Sequence, residues 1–232
     1  HRDGGRRRHR PLDHALLGHF GVARHSSTLH GMAPRSPYYT PEHEAFRAEV
    51  RKFVERELAP HVEVWEEAKA FPRDLYRKAG ELGLLGLGFP ESLGGTTVDG
   101  FYRLVVTEEL CRAGSGGLVA GLMSHAIALP PIAALGSPAL QQRIVPPVLR
   151  GETIAALAIT EPDGGSDVAS LKTVARRDGD HYVVNGSKTF ITSGMRADVY
   201  TVAVRTGGEG MGGISLLVID RDTPGFTRTP LE

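Results

Sequence analysis

A single cysteine, Cys111, leaves this sequence without the means to build a disulfide framework of its own, and fits a reducing compartment. Cys/His pairs at metal-ligand spacing are also lacking, which argues against a structural zinc. Net charge is lacking too: 27 Lys and Arg balance 27 Asp and Glu, so no overall field draws the chain to nucleic acid or an anionic membrane. Residues 114–136, GSGGLVAGLMSHAIALPPIAALG, carry no formal charge and are long enough to span a bilayer. Five glycines, two adjacent prolines, two serines and His125 keep that run's hydropathy modest. It reads as a buried helix ending near Pro130 and Pro131, not as a transmembrane segment, with His125 a satisfied core or cleft histidine.

Residues 1–31 lack lysine, and only Asp3 and Asp13 are acidic, against six arginines and six of the ten histidines. Targeting segments share the excess of arginine but are amphipathic, and this stretch shows little periodicity. A disordered or wrongly included leader ahead of Met32 is the expectation. The expected location is the cytoplasm, or the mitochondrial matrix if the source is eukaryotic.

What is present is a core and a change of period. At 41% hydrophobic residues, 232 residues suffice for one large domain or two small ones. Thr40 is placed to cap a helix that has Pro41 at its first position and Glu42 and Glu44 in its first turn. Phe46, Val50, Phe53, Val54 and Leu58 then make one apolar stripe, and Pro60 closes it. A helix after Pro72 turns Leu75, Tyr76, Ala79 and Leu82 inward and ends near Gly83. Asp99 caps another through Cys111, and a last one, PALQQRIVPPVLRG, is interrupted at Pro146 and Pro147. Residues 32–150 are therefore expected to form an α-helical domain.

After Gly151 the period becomes that of strands. TIAALAIT, KTVARRDG, HYVVNGSKTFIT, VYTVAVRT and ISLLVID are strand candidates, with turns at Asp178, Gly179 and Asp180 and at Asn185 and Gly186. FTRTP begins another. The fold class is α+β: an all-α N-terminal domain, then an antiparallel β-barrel or sandwich over residues 151–232. A barrel needs more strands to close, so the expectation is a chain cut inside that domain.

AITEPDGGSDVAS, residues 158–170, runs from a buried strand into a proline, two glycines and hydroxyls. Locally it is a strand–turn–strand corner whose free N–H groups and Ser166 hydroxyl suit a ligand's polar edge, with Asp167 holding the turn. The stretch is similar to the first signature of acyl-CoA dehydrogenases. HYVVNGSKTFITSGMRADVYTVAVRT resembles the same family's next hairpin, and LYRKAGELGLLGLGFPESLGG its segment before the substrate cleft. Asp163 departs from the glycine common at its position, and Phe190 stands where many relatives carry tryptophan, a long-chain or branched-chain flavour.

The resemblance implies FAD as cofactor. Leu157, Ala158, Ile159 and Thr160 are then expected to line it, Ser166 to touch both cofactor and acyl-CoA substrate, and Phe190, Ile191 and Thr192 to flank the isoalloxazine. Thr192 would donate to flavin N5. The implied reaction introduces a Cα–Cβ double bond into fatty acyl-CoA thioesters, as in β-oxidation. Its electrons pass to an electron-transfer flavoprotein, and the full-length form is a dimer or tetramer. The base belongs, by the resemblance, to a C-terminal helical domain expected to be absent here, so no residue of this chain is assigned as catalytic, Glu161 and Asp167 included. Two other readings stay open: a non-catalytic acyl-thioester or flavin-binding module, and an acyl-CoA oxidase of the same fold.

Overall fold

A computed structural model describes residues 36–231, so the leader expected at residues 1–31 lies outside the described residues. The first helix, α1 (Pro41–Phe53), starts where the sequence places it. Thr40 accepts a hydrogen bond from the His43 N–H, while His43 Nδ1 accepts the Thr40 N–H at 3.0 Å. The helix runs on as a π-helical segment, Val54–Leu58, and its stripe of Val50, Phe53, Val54 and Leu58 is buried. After α2 (Val62–Glu67), α3 (Asp74–Glu81) buries Leu75, Tyr76 and Ala79. Leu82, expected inward, is 38% exposed, because as the C-cap it lies past the end of the stripe. In α4 (Gly100–Cys111), Asp99 accepts the Phe101 N–H at 2.8 Å.

Two expectations about proline are corrected. The uncharged run is not one helix ending at Pro130 and Pro131 but three short ones, α5 (Gly116–Leu122), α6 (His125–Ala128) and α7 (Pro130–Leu135). The prolines open α7, where their missing N–H groups are not needed. Among the described residues no single helix is long and apolar enough to cross a membrane. The last helix, α8 (Pro138–Leu149), continues unbroken through Pro146 and Pro147. The carbonyls those prolines cannot serve belong to Gln142 and Arg143, which are exposed to water.

Among the described residues the β-half is a five-stranded mixed sheet, so the antiparallel barrel or sandwich expected of it holds only in part: β1 (Ala155–Ala158), β2 (Val174–Asp178), β3 (His181–Asn185), β4 (Val199–Arg205) and β5 (Ile214–Asp220). β4 is central. It runs parallel to β1, meets β2 in parallel at Val174 and Arg205, and pairs with β5 antiparallel along its whole length. The expected hairpin forms between β2 and β3, with Gly179 at φ 63° in its two-residue loop. The expected strand FTRTP does not form; those residues pair with no strand, and Phe226 packs on the Tyr200 ring at 4.8 Å.

The helical and β parts share one core within a single unit, Pro37–Glu232. Val50, Leu58, Leu110 and Leu122 pack in the same cluster as Ala156, Val202 and Val204. Polar groups cross the same seam: Ser124 Oγ donates to the Ala155 carbonyl at 3.0 Å and Thr201 Oγ1 to that of Ala128 at 2.8 Å.

Candidate functional site

The site is built where β1 ends. At residues 161–164 the chain reverses on itself: the Glu161 N–H donates to the Gly164 carbonyl at 2.9 Å, and the Gly164 N–H returns to Glu161 at 3.1 Å. Pro162 favours the reversal by fixing its own φ. The turn folds back over Thr160, since a β-carbon on Gly165 would stand 3.1 Å from Thr160 Cγ2.

Glu161 is the hub of this corner. Its carboxylate is buried, yet it accepts the N–H of Lys172 at 2.6 Å, the N–H of Thr173 at 2.9 Å and the Lys188 ammonium at 2.8 Å. Burial alone would push this carboxyl up; the Lys188 ammonium and the hydrogen bonds from Lys172 and Thr173 outweigh it and hold the group down at about 2. Lys188 Nζ also donates to the Ile159 carbonyl at 2.7 Å, and the Thr189 N–H donates to the Thr160 carbonyl at 2.9 Å. Three bonds thus bind residues 188 and 189 to the end of β1.

Beyond them the loop is strained and clamped. Phe190 and Ser193 sit at φ 56° and 61°, a region that side chains other than glycine seldom occupy. Ser193 Oγ reaches the Gly121 carbonyl at 3.2 Å, and Arg196 stacks over the Phe71 ring at 4.1 Å while donating to the Phe71 carbonyl at 2.6 Å. Asp198 accepts from Arg73, from Arg221 at 3.2 Å and from the Ile154 N–H at 2.8 Å. Between this loop and the helices lies a pocket of about 300 Å³, with Trp65, Phe71, Leu118, Thr192 and Ser193 on its walls.

The residues singled out in the sequence fall as follows. Ala158 is buried, Leu157, Ile159, Thr160 and Ile191 are half-buried, and Ser166 and Thr192 are exposed. Phe190 is 72% exposed, far more than an aromatic ring that serves only packing. The structure brings Ile159 and Thr160 against the segment of Phe190, Ile191 and Thr192 through the bonds of residues 188 and 189. Ser166 has no such bond; it stands next to Gly165 in the turn over Thr160. The hydroxyls of Thr160, Ser166 and Thr192 have no hydrogen-bond partner among the described residues.

Elsewhere, His125 Nε2 bonds the Leu85 carbonyl at 3.0 Å; burial pushes this histidine down to about 4, and it is a neutral core group. Asp167 accepts from Ser170 Oγ at 2.6 Å and braces its own turn. Nothing local in the sequence assigns Lys188 a role. The signal was there, a lysine between an Asn–Gly pair and an aromatic–Ile–Thr run, but its partners are 27 and 29 residues away.

Against known proteins, the family model for the acyl-CoA dehydrogenase N-terminal domain matches residues 40–152, and that for the middle domain matches residues 156–232. The chain belongs to the acyl-CoA dehydrogenase family. It is similar to the mitochondrial isobutyryl-CoA dehydrogenase of Bos taurus, 38% identical over 186 residues, which are 80% of this chain and 44% of that protein. A putative acyl-CoA dehydrogenase from Mycobacterium smegmatis superposes with a TM-score of 0.81 at 56% identity, over 84% of this chain and 51% of that one. An acyl-CoA dehydrogenase from Bacillus anthracis, solved in complex with FAD, superposes with a TM-score of 0.76 at 33% identity, over 84% of this chain and 33% of that one. The chain spans about half the length of the curated relatives it matches.

Proposed function

We propose that residues 32–150 and 151–232 are the N-terminal helical domain and the middle domain of an FAD-dependent acyl-CoA dehydrogenase, an oxidoreductase acting on CH–CH donors. The observation that carries this reading is the segment of exposed Phe190, half-buried Ile191 and exposed Thr192, tied to the end of β1 through residues 188 and 189. A flavin is a flat apolar ring system with polar edges, and this arrangement fits it. Phe190 offers an uncovered ring, and Thr160, Ser166 and Thr192 offer hydroxyls with no intramolecular partner. A Bacillus anthracis relative of the same fold was solved with FAD, which supports the choice of cofactor.

In this reading Leu157, Ala158, Ile159 and Thr160 line one side of the cofactor, and Phe190, Ile191 and Thr192 flank its ring. A flavin held there would supply the acceptor for the hydride that leaves Cβ of a fatty acyl-CoA as a base takes the Cα proton. Thr192 supplies a fixed donor at the edge where charge develops, which is worth most in a dry site. Ser166 orients both cofactor and thioester substrate. Glu161 is unsuited to be the base: three donors occupy its carboxylate, and its low proton affinity gives it little pull on a carbon acid. The base is assigned to the C-terminal helical domain that the family resemblance implies. An electron-transfer flavoprotein as acceptor, a dimeric or tetrameric assembly, and a cytoplasmic or mitochondrial-matrix location complete the proposal. The last draws support from the mitochondrial isobutyryl-CoA dehydrogenase.

Thr192→Val tests the site. In protein expressed from its native reading frame, anaerobic reduction of bound flavin by acyl-CoA should slow roughly 10²–10³-fold, with the far-ultraviolet circular dichroism unchanged. Wild-type reduction kinetics in this variant would remove Thr192 from the flavin edge. Reoxidation by oxygen as fast as by an electron-transfer flavoprotein would point to an oxidase instead.

A further inference from the structure

Phe190 and Ser193 hold left-handed backbone conformations that cost energy and persist only where the surroundings fix them. Downstream, Ser193 and Arg196 are fixed to the helical half through Gly121 and Phe71. Upstream, the Thr189 N–H bond to the Thr160 carbonyl is joined by one side chain. Lys188 Nζ is buried, with 9% of its side chain exposed, and it bridges the Ile159 carbonyl at 2.7 Å and Glu161 at 2.8 Å. Glu161 in turn is anchored by the N–H groups that lead into β2. Room for this junction depends on Gly186, whose β-carbon would stand 2.4 Å from Thr173 Oγ1.

We propose that Lys188 is a positioning residue for the flavin-facing loop, its ammonium tying residues 189–193 to the end of β1 and thereby holding Phe190 and Thr192 in place. The inference rests on the flavin reading above, but the tether itself is a property of this chain and is measurable without cofactor. A lysine suits the task because its compact head donates to two acceptors at once from a flexible stem. Its pairing with Glu161 prevents a buried charge from being left uncompensated. Lys188 touches neither substrate nor cofactor in this account; it acts through the loop.

The test compares wild type with Lys188→Met, which keeps the length and removes the donors, and Lys188→Arg, which keeps cation and donors. In Lys188→Met the hydrogen-bonded amides of this loop, those of Thr189, Gly194, Arg196 and Ala197, should exchange with solvent at least about tenfold faster, while those of β4 keep their protection. The emission of Trp65, the chain's single tryptophan and a wall of the same pocket as Thr192 and Ser193, should shift. Lys188→Arg should restore much of the protection, and FAD should bind Lys188→Met more weakly than wild type, with altered visible circular dichroism. Should Lys188→Met destabilise the whole sheet, Glu161→Gln in the same background removes the carboxylate left without its cation and offsets part of the loss. Unchanged exchange at Thr189, Gly194, Arg196 and Ala197, or a uniform rise across the sheet in both backgrounds, would overturn the proposal and mark Lys188 as a fold residue only. A wild type that takes up no FAD would sink the flavin reading, while the exchange data would still decide the tether.

Discussion

Thr173 Oγ1 is the one buried side-chain polar atom without a hydrogen-bond partner among the described residues. Its backbone N–H donates to Glu161, and its hydroxyl lies near enough to that carboxylate to help hold it down. Thr173→Val removes that help together with a hydroxyl of poor hydrogen-bond geometry, so stability at neutral pH should change by less than about 1 kcal/mol while Glu161 takes its proton at higher pH. Urea denaturation at neutral and at acid pH reads both, and a large gain at every pH would mean that the hydroxyl does nothing for Glu161. Asp167 is a second residue-scale check. Its carboxylate serves Ser170, so Asp167→Asn should leave flavin reduction by acyl-CoA within a few-fold of wild type, and a loss of the order expected for a missing general base, roughly 10²–10⁴-fold, would reinstate it as the base. At this scale the sequence was most readable where the physics is local. Thr40 and Asp99 cap the helices they were expected to cap, because an N-cap is decided within three residues. Lys188 escaped notice because its role exists only once residues 159 and 161 are folded against it.

Elements were legible in proportion to how little they depended on partners. The change from helices to strands after Gly151 shows in the period alone, and the β2–β3 hairpin in its Asp–Gly turn. The mixed sheet did not show. Its signal lay in VYTVAVR, a nearly continuous apolar run whose burial on both faces marks a central strand, flanked in part by parallel neighbours. Pro146 and Pro147 misled because a helix can continue through proline where the residues whose carbonyls lose a partner, here Gln142 and Arg143, are exposed to water. The junction between the two halves carries its own constraint. Gly151 sits at φ 71°, and a β-carbon there would stand 2.1 Å from the Tyr76 carbonyl oxygen, a backbone atom that cannot swing away. Gly151→Ala should therefore cost more than roughly 2 kcal/mol. A variant as stable as wild type in chemical denaturation would show that α3 and the start of the β-half can part without loss.

For the whole molecule, acid should act in two windows. Burial holds His125 down at about 4 in the folded state, whereas the unfolded chain takes that proton near 6.5. Its neutral burial therefore costs nothing above about pH 6.5, and stability falls as pH drops from there to about 4. Glu161 follows lower down. It is held at about 2 in spite of burial, by Lys188 and the N–H groups of Lys172 and Thr173, so its contribution is complete above about 4.5 and is lost as pH falls toward 2. A thermal midpoint that declines through both windows is expected, with His125→Gln making the upper one shallower and Glu161→Gln the lower, where the depressed carboxylates of Glu109 and Asp198 also titrate. A midpoint flat from pH 7 to pH 3 would contradict both assignments.

The central claim is that the strand end and the loop of residues 189–193 form one wall of a flavin site serving acyl-CoA dehydrogenation. Anaerobic titration of protein expressed from its native reading frame, followed in the flavin's visible band, tests it most directly. The account predicts a flavin stoichiometric with the chain that bleaches on addition of a fatty acyl-CoA and recovers with an electron-transfer flavoprotein. Protein that binds no flavin, or a bound flavin that no acyl-CoA bleaches, would contradict it.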